Sequence, residues 1–107
     1  MARSFSEETL DMVATRFKVL GEPTRLRLLN ALRDGPHAVS DLVEALDTSQ
    51  ANVSKHLAVL RRHQMVERRK EGVRSFYSIA EPEVFDLCEI VCDSLERELE
   101  TRRRALS

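Results

Sequence analysis

The chain has few cysteines, which stabilise small secreted domains through disulfides, and few aromatic residues. Its 107 residues include two cysteines, three glycines, three prolines and no tryptophan, and aromatic residues make up 5%. The two cysteines, Cys88 and Cys92, lie four positions apart in a helix-like stretch, which does not resemble a disulfide framework. We therefore expect a reducing, cytoplasmic compartment and one domain, residues 1–107, with a core mostly of leucine and valine.

Long apolar runs and enzyme signatures are also missing. No run approaches the roughly 18 apolar residues of a membrane span, and the opening MARSFSEETLDMV lacks the apolar core of a signal peptide. There is no glycine-rich phosphate loop, no His-Glu-x-x-His motif and no nucleophile with an evident base. These absences argue against a membrane partner and against an enzyme.

Charge is strongly separated along the chain, although the net charge is only −1. Residues 55–74 contain seven basic and two acidic residues, a net charge of +5. Residues 81–100 contain eight acidic residues and one arginine, a net charge of −7. This separation indicates two surfaces with different partners.

The pattern of apolar and capping residues predicts five helices and a hairpin. The capping serines Ser6, Ser40 and Ser49 and the prolines Pro23 and Pro82 precede stretches with helical apolar spacing, and Val53, Leu57 and Leu60 form the inward stripe of the fourth helix. Residues 65–69 and 75–79 look like strands around a tip at Gly72. The predicted helices cover residues 6–20, 24–32, 40–46, 50–63 and 82–103. This order, mainly α with a small β-hairpin, describes a winged helix-turn-helix with the helix-turn-helix at 40–63 and the wing at 65–79.

The second helix of such a motif lies in the major groove of DNA, and the basic wing can follow the backbone or enter the minor groove. Gln50 and Asn52 can pair with adenine, and Ala51 can touch a thymine methyl. Serine and lysine suit phosphate. The predicted DNA-binding residues are Ser49, Gln50, Ala51, Asn52, Ser54, Lys55, Arg68, Arg69, Lys70 and Arg74. Each could instead be an ordinary polar residue on a solvated surface, and His56, beside the inward stripe, is better explained as a packed side chain.

Two long helices carry more apolar surface than a small winged core can cover. The stripe of helix 6–20 contains Leu10, Val13, Phe17 and Leu20, and that of helix 82–103 contains Val84, Cys88, Val91, Leu95 and Leu99. Stripes of this size indicate an interface. We therefore predict a homodimer that dimerises through its first and last helices and binds a pseudo-palindromic double-stranded operator.

Three stretches carry a resemblance to a known family: GEPTRLRLL at 21–29, VSDL at 39–42 and SQANVSKHLAVL at 49–60. Together they resemble the ArsR family of arsenic-repressor-type bacterial regulators, over about residues 8–100. The resemblance implies a dimeric winged-helix repressor whose inducer, often a metal or a thiol reagent, weakens its hold on operator DNA. It also implies that the first and last helices form the dimer interface and that residues 49–63 are the recognition helix.

The chain departs from two sensing patterns of that family. Where arsenic-sensing members carry a Cys-Val-Cys pair, this chain has His37-Ala38-Val39-Ser40-Asp41-Leu42. Where zinc-sensing members carry Asp-x-His, it has Asp86-Leu87-Cys88, and the later His-x-x-Glu has no counterpart. Neither pattern identifies the inducer.

Cys88 and Cys92 are side-chain neighbours on one helix, and three interpretations stay open. The pair could hold a thiophilic ion, As(III), Cd(II), Hg(II) or Zn(II), with a third ligand from the partner subunit or a nearby carboxylate. It could sense oxidants, or the cysteines could simply pack, leaving a winged-helix repressor or protein-interaction module without a thiol sensor. Because the acidic residues around the pair should raise the thiol pKa values and attract cations, we favour metal or metalloid over redox sensing.

Overall fold

The computed structural model describes residues 3–107, so the first two residues of the predicted domain lie outside the described residues. It contains five α-helices, three short strands and a 3₁₀ turn at Leu32–Asp34. In chain order the elements are α1 (Glu7–Leu20), α2 (Pro23–Ala31), β1 (His37–Ala38), α3 (Val39–Leu46), α4 (Gln50–Arg62), β2 (Val66–Glu71), β3 (Arg74–Ile79) and α5 (Pro82–Leu106).

The helix starts follow from side chains that accept otherwise unpaired backbone N–H groups. Ser6 caps α1, with its Oγ 3.1 Å from the Thr9 nitrogen, as expected. The predicted cap of α3 at Ser40 is wrong. That helix begins at Val39, because the Asp41 carboxylate accepts the N–H of Ala38 at 3.2 Å and so fixes the turn one residue earlier.

The sheet differs from the predicted hairpin in two respects. The two-residue strand β1 pairs with β3, His37 opposite Tyr77 and Ala38 opposite Phe76, which gives the strand order β1-β3-β2. The predicted five-residue connection at 70–74 is wrong, because β2 and β3 pair as far as Glu71 and Arg74 and leave a two-residue turn. Gly72 adopts a φ of 63° there, a conformation that favours glycine in tight hairpins.

The core lies where α2, α3 and α4 meet the base of the sheet. The apolar stripe predicted for α4, Val53, Leu57 and Leu60, is completely buried. Most of the remaining core is leucine and valine, as the composition predicts, and the largest fully buried side chains also include Leu28, Leu32, Leu42 and Met65. This packing holds α3 and α4 as one unit and leaves the start of α4 at the surface.

Helix α5 leaves the domain after its first turns. It extends to Leu106, three residues beyond the predicted end, and its 25 residues span about 37 Å. Val84 is buried and Cys88 is half-buried, but every residue from Glu89 onward is exposed. Within residues 3–107, no helix combines the length and apolar character needed to cross a membrane.

Candidate nucleic-acid interface and cysteine pair

A tight turn joins α3 to α4 and sets the angle between them. Asp47 ends α3 in the left-handed conformation, with φ 51° and ψ 52°, which aspartate tolerates better than most residues. Ser49 then caps α4, and its Oγ accepts the Asn52 N–H at 3.1 Å. These residues fix where α4 begins, and its first two residues, Gln50 and Ala51, are exposed, as a helix that enters a DNA groove requires.

The six residues predicted to contact DNA from α4 and its cap divide into two groups. Gln50, Ala51, Ser54 and Lys55 are exposed. Asn52 is half-buried, and its Nδ2 donates to Thr48 Oγ1 at 3.1 Å, while the Ser49 hydroxyl is already engaged as the cap. This bond uses one of the two Nδ2 hydrogens and fixes the orientation of the Asn52 amide, so bidentate pairing with adenine must use the other hydrogen and Oδ1 in that orientation. The exposed Gln50 amide has no such constraint.

The four basic residues of the wing also divide into two pairs. Side chains alternate along a strand, so Arg68 and Lys70 share one face of the hairpin and Arg69 the other. Arg69 pairs with Glu71 at 2.9 Å, and the Arg74 guanidinium lies 5.1 Å from the centre of the Phe76 ring. Among the described residues, no carboxylate pairs with Lys55, Arg68, Lys70 or Arg74, so their charge is available to phosphate.

His56 is packed, as the sequence predicts, and does not face the groove. It is 7% exposed, and its Nδ1 lies 3.3 Å from Nη1 of Arg25. Arg25 belongs to the GEPTR stretch but was missing from the predicted site residues. No periodic pattern identifies such a long-range contact, since the two residues are 31 positions apart.

The two cysteines differ in their surroundings. Cys88 packs against the core, whereas Cys92 is exposed, and both are free thiols. Burial, and secondarily the neighbouring Cys92, raises the pKa of the Cys88 thiol. The expected cause, the surrounding acidic residues, is therefore wrong, because they lie on a solvated helix surface where water screens their charge.

The donor set suits a soft ion only in part. Two thiols one helical turn apart, as Cys88 and Cys92 are, are favourable ligands for thiophilic metals and metalloids. Within residues 3–107, however, no three His, Cys, Asp or Glu side chains are placed together to hold a metal ion. A third protein ligand would therefore have to come from a partner subunit.

Apolar side chains line a groove between α1 and α5. Val13, Phe17, Leu20 and Leu87 contribute to its walls. Most stripe residues of both helices stay half exposed, namely Leu10, Val13 and Phe17 of α1 and Val91, Leu95 and Leu99 of α5. A contiguous exposed apolar surface along two helices is typical of an interaction site.

Comparison with known proteins decides the family. Residues 22–68 match the model described as bacterial regulatory protein, arsR family. Over 91 residues the chain is 35% identical to the transcriptional repressor SmtB homolog of Synechocystis, an alignment that covers 85% of this chain and 69% of the relative. The chain belongs to the ArsR family. Members of this family are DNA-binding transcriptional regulators.

Solved structures of other ArsR-type proteins share the fold. A solution structure from Mycobacterium bovis, described as a homodimeric winged helix-turn-helix DNA-binding domain, superimposes with a TM-score of 0.80 at 32% identity and covers 94% of this chain and 95% of that one. The AntR antimony-specific transcriptional repressor superimposes with a TM-score of 0.83 at 30% identity, covering 92% and 90%. The ArsR chain described here is thus a winged helix-turn-helix protein.

Proposed function

We propose that this ArsR-family protein is a homodimeric transcriptional repressor that binds operator DNA through the start of α4 and the wing. The observation that carries the proposal is the exposure of Gln50 and Lys55 near the start of α4, together with wing cations that no carboxylate neutralises. Base-reading amides and phosphate-binding cations are the two kinds of contact that operator recognition needs.

The same structure supports dimerisation through α1 and α5. The C-terminal part of α5 contacts little of its own domain, and isolated helices are marginal in water. A second copy, packed about a two-fold axis, would cover the apolar stripes of both helices. The homodimeric state of the relative from Mycobacterium bovis supports this arrangement.

A mobility-shift titration tests the function directly. We expect the protein to bind a fragment of its own promoter with a dissociation constant of about 10⁻⁸–10⁻¹¹ M, and random DNA at least about 10³-fold more weakly, at physiological salt. Footprinting on the shifted fragment should reveal half-sites about 10 base pairs apart or a multiple of that spacing. Equal binding of both DNAs would favour a winged-helix module that recognises protein instead.

Lys55 and Gln50 should contribute to binding in different ways. Lys55→Ala should weaken binding to operator and random DNA alike and reduce the slope of log K against log salt by up to about 0.9. Gln50→Ala should cost about 1–3 kcal/mol on the operator only, because a bidentate amide contact distinguishes bases.

Arg102→Ala is the matched control for Lys55→Ala. It removes a positive charge from the far end of α5, where Arg102 already pairs with Glu98 at 2.6 Å, and should leave the salt slope unchanged. Identical losses on both DNAs for Lys55→Ala and Gln50→Ala would rule out this division of roles.

Release from DNA is proposed to involve the cysteine pair. Binding of As(III), Cd(II), Hg(II) or Zn(II) by Cys88 and Cys92, with a ligand from the partner subunit, would alter α5 packing and so the spacing of the two recognition helices. The chemistry of two adjacent thiols supports this, as does the likeness to an antimony-specific repressor. Oxidation of the same thiols is the second candidate, favoured by the exposure of Cys92.

A further inference from the structure

A small polar cluster connects α4 to the end of α1. Arg25, near the start of α2, donates from Nε to the carbonyl oxygen of Val19 in the last turn of α1, at 2.6 Å. Its Nη1 lies 3.3 Å from Nδ1 of His56, in the middle of α4. One guanidinium therefore joins a proposed dimerisation helix to the proposed recognition helix.

We propose that Arg25 and His56 are positioning residues that hold the recognition helix in its operator-reading orientation, and that this hold requires a neutral His56. The inference rests on the proposed function, because it assigns a role within operator recognition. It concerns neither the dimer interface itself nor the cysteine pair.

The requirement for a neutral imidazole follows from the donors and acceptors. A guanidinium can only donate hydrogen bonds, so His56 Nδ1 must accept, and the ring proton then resides on Nε2. A protonated ring would lose this bond and place a cation directly against Arg25.

Glu22 offers the protonated ring another partner. Its Oε2 lies 3.7 Å from His56 Nδ1, too far for a hydrogen bond in the present arrangement. The same oxygen accepts the backbone N–H of Arg25 at 2.9 Å as the cap of α2, and this bond lowers the pKa of Glu22. Arg25 and Glu22 are the ionisable side chains that the described structure places in polar contact with the ring. Protonation would therefore transfer His56 from Arg25 to the Glu22 carboxylate.

Arginine is needed because the two acceptors belong to different helices. The planar guanidinium presents Nε–H and Nη1–H in a fixed fork, whereas a lysine ammonium is a single point on a flexible stem. Arg25→Lys should keep the charge but lose the simultaneous contact with Val19 and His56. The core does not depend on this contact, since Val53, Leu57 and Leu60 already anchor α4.

The experiment measures the ratio of operator affinity to random-DNA affinity between about pH 8 and about pH 5.5, which brackets the ordinary histidine pKa of about 6.5. General attraction to DNA affects both affinities, so the ratio isolates recognition. We expect the wild-type ratio to fall about tenfold on acidification, within the usual range of about 5- to 150-fold for coupled sites. A ratio independent of pH would overturn the inference.

Substitutions separate positioning from mere stability. His56→Asn retains an acceptor near the Nδ1 position but cannot be protonated, so it should keep a high ratio at every pH. Arg25→Lys should have a low ratio throughout, with a thermal midpoint close to that of the wild type. His63→Asn, at the end of the same helix, and Arg27→Lys, two residues along α2, are matched controls that should behave as wild type.

Nuclear magnetic resonance of the wild-type protein keeps the test valid if a variant fails to fold. The midpoint of the pH-dependent loss of the ratio should coincide with the titration of the His56 ring, and not with those of His37 or His63. A pH-dependent ratio in His56→Asn, or a normal ratio in Arg25→Lys, contradicts the proposal. Absence of any operator preference at about pH 8 would instead contradict the proposed function.

Discussion

Leu95→Glu should convert the dimer into a monomer and abolish specific operator binding. Leu95 lies in the middle of the α5 stripe and is 51% exposed in the single chain. Packing against a partner would bury an introduced carboxylate from each subunit in the interface without a counter-charge, at a cost of about 3–5 kcal/mol. The dimer dissociation constant should rise by about two to three powers of ten or more.

Light scattering and operator titration of the same sample measure both effects. A monomer can occupy only one half-site, so operator affinity should fall to near that for random DNA. Leu95→Met is the matched control, because it preserves apolar volume and should stay dimeric. A wild-type monomer at micromolar concentration, or a dimeric Leu95→Glu, would refute the assignment of α5 to the interface.

Sequence signals that involve only neighbouring residues were sufficient to predict most of the fold. The capping serines Ser6 and Ser49, Pro23 and the helical spacing of Val53, Leu57 and Leu60 each specify structure within a few residues, and the structure confirms them. The stripe on α5 was visible for the same reason. What indicates a partner is that this stripe stays exposed within one chain. That exposure could be established only from the structure, in which the core is complete without the stripe.

Features that depend on distant residues were missed. Strand β1 is two residues long, too short for any periodicity, and exists only because β3 offers it a free edge. The contact between Arg25 and His56 depends on how α2 packs on α4. The higher pKa of the Cys88 thiol arises from burial, which a count of nearby acidic residues cannot represent. In each case the deciding quantity was three-dimensional proximity.

Removing both thiols should leave operator binding intact and abolish its release by inducer. Cys88 and Cys92 lie on α5, away from the first turn of α4, so their loss removes no DNA contact. The Cys88→Ser/Cys92→Ser double variant should therefore bind the promoter fragment as wild type. It should then keep its mobility shift in As(III), Cd(II), Hg(II) or Zn(II) at concentrations that release the wild-type protein.

Single variants separate ligation from packing. Cys88→Val retains the apolar contact with the core but has no thiol, whereas Cys92→Ser changes only an exposed position. If the pair binds the ion, both should lose the response equally, because one thiol cannot replace two. Retention of the response by Cys88→Val alone would show that Cys88 serves only to pack.

An oxidant titration distinguishes the two sensing chemistries. Cys92 should react faster with an alkylating reagent than Cys88, because it is exposed and burial raises the pKa of the Cys88 thiol, which reduces the thiolate fraction near neutral pH. Metal ligation displaces both thiol protons, so the inducing ion should protect both cysteines from alkylation.

An oxidising switch should instead act through the more reactive Cys92 and cross-link subunits, since thiols one helical turn apart do not readily meet disulfide geometry. If peroxide releases operator DNA and the ions do not, the pair is a redox sensor. If the double variant responds to every effector as wild type does, the sensor lies elsewhere in the protein.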